Sequence, residues 1–325
     1  MDKDKYQDSI STWKKGPRIT NLSGSFDQLA SGTEGVPKCK VLPLPEFFKE
    51  SYGLNTFYKI YENYAGPFAH HYMASIPYVL EEDCRIGNAI LHYLLNLSGR
   101  AGRLTTLQTI GTAEAVQARS IVSLAEGRII ALSNSPTKSN KEIFESNCPK
   151  GSFFHLGPFF DIDSKFLNSD ESLKPFSEGI DIIFEDTEFQ MYSPDRDDQI
   201  GFTIENLSQH GIYLTLEKCI QTDMNEYLKR ERQKDQDFKI KFFEKHQIIK
   251  KQKILDKMIK GQVTFETLVT ALDKYFNHID LLWNCGNFYL LAASNNRVNL
   301  DKFQNHLSPP IIPPEFVYER PSTLI

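Results

Sequence analysis

The sequence is poor in cysteine and has no long apolar run, and each absence excludes a class of protein. Its cysteines are few and scattered, without a CxxC pair: Cys39, Cys84, Cys148, Cys219 and Cys285. Neither a disulfide framework nor a zinc or other metal cluster is expected from that spacing. No apolar stretch approaches the roughly 18–20 residues that span a bilayer, and the charged start MDKDKYQDSISTWKK lacks the apolar core of a secretory signal. We therefore expect a cytoplasmic protein that does not act in a membrane.

The chain also lacks an excess of positive charge. Its net charge is -5, which argues against nucleic-acid binding because phosphate contacts need a basic face. Basic residues concentrate in residues 221–260, with 12 Lys and Arg against 7 Asp and Glu. Two interpretations stay open for this region: a solvated helical face, or a docking face for an acidic partner or a lid over the substrate.

Changes in pattern divide the 325 residues into four parts. Residues 1–45 have weak periodicity and predict an extended or partly disordered arm. Residues 46–103 are aromatic and helical in pattern and predict an N-terminal lid lobe. Residues 104–310 predict an α/β core with a helical insertion over 221–275, and residues 311–325 a proline-rich tail.

Within the core, short apolar runs alternate with helical segments. Strands are predicted at 104–110, 128–132, 153–156, 180–184 and 212–216, and helices at 113–126 and 200–207. The run IDIIF at 180–184 is continuous, as expected for a strand buried on both faces. This alternation predicts a doubly wound, Rossmann-like parallel sheet.

The last strands separate two families that share such a sheet. Dinucleotide-binding proteins end in a sixth parallel strand, whereas class I methyltransferases end in an antiparallel hairpin. The segment IDLLWNCGNFYLLAAS, at 279–294, has two apolar runs around an Asn/Gly turn and predicts a hairpin. A GxGxxG fingerprint, expected for a dinucleotide site, is absent. A seven-stranded α/β sheet with a terminal antiparallel hairpin is therefore expected.

On these features the chain resembles the class I S-adenosylmethionine (SAM)-dependent methyltransferase superfamily over roughly residues 46–310. Several segments resemble a narrower group, the methyltransferases and methyltransferase domains of bacterial natural-product (polyketide-type) pathways; they are ENYAGPFAHHYM, GRIIALSNSP, FEDTEFQMYSPDRDDQI, RERQKD and WNCGNFYLLAASN. The resemblance implies S-adenosyl-L-methionine as cofactor and a small-molecule or acyl-carrier-bound substrate. A homodimer is kept open.

The resemblance also implies where the cofactor lies. The turn after the first strand contains Gly111, Thr112, Ala113 and Glu114, and a glycine there lets the backbone approach the ligand. The family usually has an acidic residue at the end of the second strand. This sequence has Ser133, Asn134 and Ser135 instead, which hydrogen-bond a ribose diol less strongly than a carboxylate does.

Two further strand ends contribute candidates. After the third strand, Gly157, Phe159 and Asp161 are candidates for the adenine side, although Phe159 also suits a packed core. The fourth strand ends in Glu185 and Asp186, and ligands of such sheets bind beyond the carboxyl ends of the strands. Glu185 is assigned to the cofactor and Asp186 to catalysis.

The helical lobe supplies the other catalytic candidates, Tyr64, His70 and His71. An imidazole titrates near working pH and can act as a general base. Adjacent histidines point to different helix faces, so one buried and one exposed histidine is the structural alternative. The fifth strand ends in Glu217 and Lys218, which can pair with each other.

The function expected from the resemblance is SAM-dependent methyl transfer to a small-molecule or carrier-bound natural-product intermediate, with oxygen as the acceptor atom. The alternative is a non-catalytic or regulatory binding module on a degenerate methyltransferase fold, suggested by the missing ribose carboxylate and the sparse glycines. A dinucleotide oxidoreductase is disfavoured by the hairpin.

Overall fold

The protein is built around one mixed β-sheet. The structure, a computed structural model, describes residues 3–50 and 52–325. The strands, in chain order, are β1 Thr105–Ile110, β2 Ile129–Ser135, β3 Ser152–Leu156, β4 Ile180–Asp186, β5 Leu207–Lys218, β6 His278–Cys285, β7 Phe288–Ser294 and β8 Ser322–Thr323. They lie in the order β3-β2-β1-β4-β5-β7-β6-β8.

Helices precede the sheet, connect its strands and follow it. Their bounds are α1 Gln7–Trp13, α2 Pro17–Thr20, α3 Ser23–Ala30, α4 Tyr52–Tyr64, α5 Pro67–Ser75, α6 Val79–Ala101, α7 Val116–Leu124, α8 Lys138–Ser146, α9 Ser164–Leu167, α10 Lys174–Ser177, α11 Arg196–Ile204, α12 Met224–Gln233, α13 Lys245–Leu255, α14 Phe265–Asp273 and α15 Arg297–Gln304. A π-helical turn, Lys234–Phe238, follows α12.

The central strands are buried on both faces, as their continuous apolar runs predict. Ile182 and Ile183 of β4 are both fully buried and belong to different hydrophobic clusters, because successive strand residues point to opposite faces. Helices α4, α6 and α7 contribute to the first cluster, and α1, α11 and α14 to the second. The sheet is therefore the middle layer of a three-layer sandwich.

The strand directions define the fold. Strands β2 and β4 pair in parallel with β1, β3 pairs in parallel with β2, and β5 pairs in parallel with β4. Strand β7 lies between β5 and β6 and is antiparallel to both. This is the sheet of the class I SAM-dependent methyltransferases, and the fold predicted from the terminal hairpin is confirmed. The tail adds one strand that was not predicted: β8 pairs with β6 at the open edge.

The N-terminal arm differs most from its prediction. Residues 1–45 were expected to be extended or partly disordered, but the structure has α1, α2 and α3 there. These helices are short, and isolated large side chains hold them: Trp13 and Leu22 are completely buried, and Phe26 nearly so. The helix predicted over 200–207 lies at Arg196–Ile204, and Leu207 already begins β5.

Strand register brings the candidate residues to one edge. Ile110 of β1 pairs with Asn134 of β2 on one side and with Glu185 of β4 on the other. The residues that follow, Gly111, Ser135 and Asp186, therefore meet at the carboxyl edge where chain connections leave the sheet in opposite directions, the usual ligand position in such sheets. Nowhere in residues 3–50 and 52–325 does a helix combine the length and apolarity needed to cross a membrane.

Candidate active site

The turn after β1 is strained and closely packed. Gly111 has φ +78°, and a Cβ placed on it would lie 2.6 Å from Cβ of Glu188 and 2.9 Å from the carbonyl oxygen of Asp186. Ala113 and Ala115 also have positive φ, 45° and 56°, which residues with a Cβ rarely adopt. Such strain persists only where the surroundings hold it, and it concentrates at ligand sites.

Glu114, the acidic residue of this turn, contacts the lid lobe. It is completely buried, and its carboxylate accepts hydrogen bonds from the backbone N–H groups of Phe68 (2.7 Å) and Ala69 (2.9 Å) in the first turn of α5. Burial raises its pKa to about 7. Both carboxylate oxygens of Glu114 thus hold α5 over the turn.

Two carboxyl–tyrosine pairs face each other beside Gly111. Tyr72 of α5 donates to Oδ1 of Asp186 at 2.8 Å, and Tyr61 of α4 donates to Oδ2 of Asp83 at 2.7 Å. Burial raises the pKa of Asp186 to about 7. The pKa of Asp83 is raised well above its usual value, by burial and then by the nearby charge of Asp186. We expect the pair to keep a shared proton at neutral pH.

Glu188 presents a free oxygen to the same turn. Its Oε1 accepts a hydrogen bond from Tyr192 at 2.8 Å, whereas Oε2 is buried and has no partner among the residues that the structure describes. Burial raises its pKa to about 7, and the positive charge of Arg18 opposes the rise. A buried polar atom without a partner is costly, so this oxygen is suited to a donor on a ligand.

Glu185, the neighbouring carboxylate of β4, has a supporting position. It accepts hydrogen bonds from the backbone of Glu188 (2.6 Å) and Phe189 (3.1 Å) and from Oγ1 of Thr215 (2.6 Å). Because adjacent strand residues alternate in direction, Glu185 points away from Asp186. It holds the loop that carries Glu188, and its predicted cofactor contact stays a prediction.

Of the three candidates at the end of β2, Ser135 lines the cavity beside Gly111. Ser133 pairs with Thr109 at 2.7 Å, and Asn134 donates to the Gly157 carbonyl at 3.1 Å. Ser135 accepts from Asn140 at 3.0 Å and lies in the wall beside Gly111. The second strand therefore offers one hydroxyl at this edge.

The candidates after β3 lie away from the turn. Phe159 is buried in an aromatic cluster with Trp13, at 5.2 Å between ring centroids, and Phe189, at 5.0 Å. Asp161 has an exposed side chain 3.5 Å from Nε2 of His155. Phe159 thus occupies the core position that its sequence context also allowed, and Asp161 does not join the group around Gly111.

The three catalytic candidates of the helical lobe, His70, His71 and Tyr64, have different surroundings. His71 is buried; its Nδ1 lies 2.7 Å from the Gly35 carbonyl and Nε2 3.3 Å from Ser75 Oγ, and burial lowers its pKa to about 3. His70 is half-buried, with its pKa lowered by burial. Tyr64 lies under the guanidinium of Arg119, 4.8 Å from its ring centroid. Neither His70 nor Tyr64 lines the cavities described next.

Three adjacent cavities lie at the carboxyl edge. The Gly111 cavity, about 60 Å³, is lined by Arg18, Phe26, Gly111, Ser135 and Glu188 among others. The Asp186 cavity, about 30 Å³, is lined by Tyr61, Tyr72, Asp83, Gly111 and Asp186. Both are smaller than the roughly 300–1,000 Å³ of small-molecule sites.

The N-terminal segment accounts for the small volume. Arg18 of α2 donates to Thr137 at 2.5 Å and stacks on Phe26 of α3, 4.1 Å from the ring centroid. Both side chains stand in the wall of the Gly111 cavity. We therefore expect a cofactor-sized ligand to displace this segment.

The lysine cavity, about 100 Å³, adjoins the other two through Phe68 and Tyr72, which line all three. It contains Lys218, Lys234, Lys239 and Lys251 in its wall. The expected Glu217–Lys218 pair is wrong: Glu217 pairs with Arg196 at 2.7 Å and Lys218 with Glu231 at 2.8 Å, because neighbouring strand residues point to opposite faces.

Tyr61 was singled out with Tyr64, His70 and His71 as a contribution of the helical lobe, whereas several other residues of this site had no sequence prediction: Arg18, Tyr72, Asp83 and Glu188. Tyr61 lies in the aromatic segment that was assigned to the lid, and Glu188 opens the polar loop after β4. Tyr72 and Asp186 are 114 residues apart in the sequence and meet only in the folded chain. Local sequence patterns do not predict such a contact. The excess of lysine in residues 221–260 was the visible signal for the lysine cavity.

Comparison with known proteins gives similarity in structure only. No protein-family model and no curated protein sequence matches the chain. Among solved structures, the plantazolicin methyltransferase BamL, in complex with a triazolic desmethylPZN analog and SAH, is similar over 75% of this chain and 97% of its own, at 11% identity and a TM-score of 0.46.

A second similar structure is the plantazolicin methyltransferase BpumL in complex with a pentazolic desmethylPZN analog and SAH. It is 8% identical, covers 84% of this chain and 100% of its own, and has a TM-score of 0.46. The fold assignment rests on the strand order of the chain itself, which has the antiparallel β7 between β5 and β6.

Proposed function

We propose that the protein is a SAM-dependent methyltransferase that methylates an oxygen of a small-molecule or carrier-bound natural-product intermediate. The main support is the coincidence of two features at the carboxyl edge of a methyltransferase-type sheet. Gly111 lets the turn pack closely against Glu188 and Asp186 at the wall of a cavity, and the buried carboxyl groups of Asp83, Asp186 and Glu188 lie around it. A cationic ligand is the natural complement of buried carboxylates.

The residues present fit this cofactor. The Asp83–Asp186 pair is complementary to an ammonium or sulfonium, and the free Oε2 of Glu188 and the hydroxyl of Ser135 are suited to ribose hydroxyls. The Gly111 turn would lie against the ligand because Gly111 stands in the walls of both cavities. When bound, SAM supplies a methyl group already activated by its positively charged sulfur.

The protein then has to position the acceptor and remove its proton. Asp186 is the best-placed base, since its pKa of about 7 suits proton transfer near neutral pH. With the methyl group supplied by bound SAM, the Asp186 carboxylate would take the proton of the acceptor hydroxyl. Tyr72 holds that carboxylate in place through its 2.8 Å hydrogen bond. His71, with a pKa of about 3, is a weaker base.

Calorimetry with SAM and with S-adenosylhomocysteine (SAH) tests the proposal. We expect both to bind at micromolar to millimolar concentration. Absence of binding of either ligand at millimolar concentration contradicts the proposal. Transfer from methyl-labelled SAM to hydroxylated acceptors, with the methyl position in the product assigned by NMR, then tests oxygen as the acceptor atom.

A second candidate, a non-catalytic binding module on this fold, is supported by two observations. The end of β2 carries no carboxylate, and the cavity beside Gly111 has only about 60 Å³. If SAH binds but Asp186→Asn leaves the cellular role of the protein intact, the module is favoured. Loss of a methylated product in that variant favours the enzyme.

A further inference from the structure

The lysine cavity carries an unusual concentration of buried positive charge. Lys218, Lys234 and Lys239 are nearly inaccessible, at 5%, 6% and 2% exposure, although lysine is almost never buried without a partner. They come from the end of β5 and from the turns that follow α12, and Lys251 of α13 completes the wall. Separate chain segments thus converge on one small space.

Negative charge in this space does not balance the lysines. Glu231 is shared, at 2.8 Å from Lys218 and 2.5 Å from Lys234. Asp235 pairs with Lys239 at 3.1 Å. Lys251 has no ion pair with a carboxylate in the part of the chain that the structure describes; its ammonium lies 5.9 Å from the Phe26 ring centroid. Four ammonium groups therefore share two carboxylates.

The lowered pKa values of Lys251 and Lys239 agree with this shortage of carboxylates. Burial and the nearby charges of Lys239 and Lys234 lower the pKa of Lys251 to about 7. Burial, followed by the charge of Lys234, lowers the pKa of Lys239 to about 8. Apart from the lysines, the titratable groups of this wall are neutral at such pH, because the pKa of His71 is lowered to about 3 and that of Tyr72 is raised well above its usual value, both mainly by burial. An anion in the cavity would restore the full charge of both lysines.

The lysine cavity lies next to the proposed methyl-transfer site. Its wall shares Tyr72 and Thr187 with the Gly111 cavity, and these residues flank Asp186, which accepts the hydrogen bond of Tyr72. On the other side it meets an outer cavity of about 280 Å³, whose charged and titratable lining residues are Glu34, His71, Lys239, His246, Lys250 and Lys251, with Glu34 paired to Lys250 at 2.7 Å. The lysine cavity therefore lies between the proposed methyl-transfer site and a surface cavity in which cationic side chains outnumber the single carboxylate.

We infer that the lysine cavity holds an anionic group of the methyl acceptor, a carboxylate or a phosphate, and thereby brings a nearby acceptor hydroxyl to Asp186. This inference rests on the proposed methyl transfer and assigns its substrate class. Outside the N-terminal segment, Phe68, Met191 and Met258 belong to the apolar part of the wall, so the acceptor combines an anionic end with an apolar body.

Binding of simple anions tests the cavity independently of the cofactor. Inorganic phosphate and succinate are titrated at fixed ionic strength against sodium chloride, and Tm is measured. We expect a specific rise of about 2–4 °C for at least one of them, and the larger rise distinguishes a phosphate from a carboxylate ligand. The absence of any rise over chloride in the wild-type protein overturns the inference.

Matched variants on helix α13 test whether the rise in Tm comes from anion binding in the lysine cavity. Lys251→Met should abolish the rise, whereas Lys251→Arg, which keeps the charge, should retain it. Lys253→Met, on the exposed face of the same helix, is the control and should behave like wild type. Loss of the rise in Lys253→Met, or its persistence in Lys251→Met, contradicts the assignment. If Lys251→Met fails to fold, the wild-type titration and Lys251→Arg still decide.

Calorimetry with SAH on the same variants separates the two proposals. SAH binding that survives in Lys251→Met supports a separate acceptor cavity. Anion binding without SAH binding overturns methyl transfer and leaves an anion site, whereas SAH binding without anion binding overturns only this inference. If the protein methylates such acceptors, kcat/KM for an aromatic hydroxy acid should be about 10- to 100-fold higher than for its methyl ester. Lys251→Met should remove that preference.

Discussion

At the scale of single residues, the site is governed by carboxyl groups that the fold has taken out of water. Asp186 and Glu188 lie at the end of β4 and just after it, and burial raises the pKa of both to about 7. A carboxylate in water would be too weak a base at neutral pH to assist proton removal. Burial beside Tyr72 turns an ordinary aspartate into a group that exchanges a proton near pH 7.

Replacing Asp186 by asparagine should separate chemistry from binding. We expect kcat to fall by about 10²–10⁴, while SAH binding weakens much less because Asp83 and Glu188 remain. Steady-state kinetics and calorimetry on the same preparation measure both. Glu142→Gln, which removes only an exposed ion pair with Lys138, is the control. An unchanged kcat in Asp186→Asn would assign proton removal elsewhere.

Gly111 should be the least tolerant glycine of the site. In Gly111→Ala, the new Cβ meets Glu188 at 2.6 Å with φ at +78°, which we expect to cost at least about 1–2 kcal/mol of unfolding free energy. It should also abolish SAH binding. Gly99→Ala on α6 is the matched control, because its Cβ meets nothing within 4 Å and alanine favours a helix by about 1 kcal/mol. Denaturant unfolding of both variants, with calorimetry, measures the contrast.

At the scale of elements, sequence patterns predicted those parts whose stability is local. IDIIF became β4 because a continuous apolar run suits a strand covered on both faces. The helix predicted from Ala113 begins only at Val116, because the preceding residues adopt the left-handed conformations of the turn. The arm was missed because α1, α2 and α3 are too short to show periodicity and depend on tertiary anchors such as Trp13.

The same distinction applies to the candidate site. Gly111 and Asp186 follow strands, so a rule about strand ends was sufficient to single them out. Tyr72 and Asp83 lie on helices far away in the chain and meet Asp186 only after the lobe has packed on the sheet. Pairings of this kind depend on tertiary geometry, which a single sequence does not specify.

The N-terminal segment should respond to the cofactor as one element. Arg18 and Phe26 stand in the wall of a cavity too small for SAM, so binding should displace α2 and α3. Hydrogen exchange followed by mass spectrometry should show faster exchange of Pro17–Ala30 amides with saturating SAH. Helix α15, Arg297–Gln304, packs near the opposite edge and serves as internal control. Unchanged exchange of residues 17–30 with SAH bound would show that the cavity opens by another movement.

At the scale of the whole molecule, the buried charges of opposite sign make stability depend on pH in an uncommon way. The carboxyl groups of Glu81, Glu114, Asp186 and Glu188 have pKa values raised to about 7. Their contribution to stability is complete below the unfolded pKa of about 4 and is lost as pH rises through 7. The lowered pKa values of Lys239 and Lys251 act in reverse, with stability lost as pH falls from about 10 through 8 and 7.

Both contributions are weakest near neutral pH, so the free protein should be least stable around pH 7–8. His71 acts in the opposite direction below pH 6.5, because its pKa is lowered to about 3, but four carboxyl groups outweigh one imidazole. Tm measured from pH 5.5 to 9.5 at constant ionic strength should therefore pass through a minimum. Glu188→Gln should flatten the acidic side, and phosphate or SAM should raise Tm most at the minimum. A Tm that rises steadily from pH 5.5 to 7.5 would mean that these groups are solvated in solution, and it would remove the basis for Asp186 as a base at neutral pH.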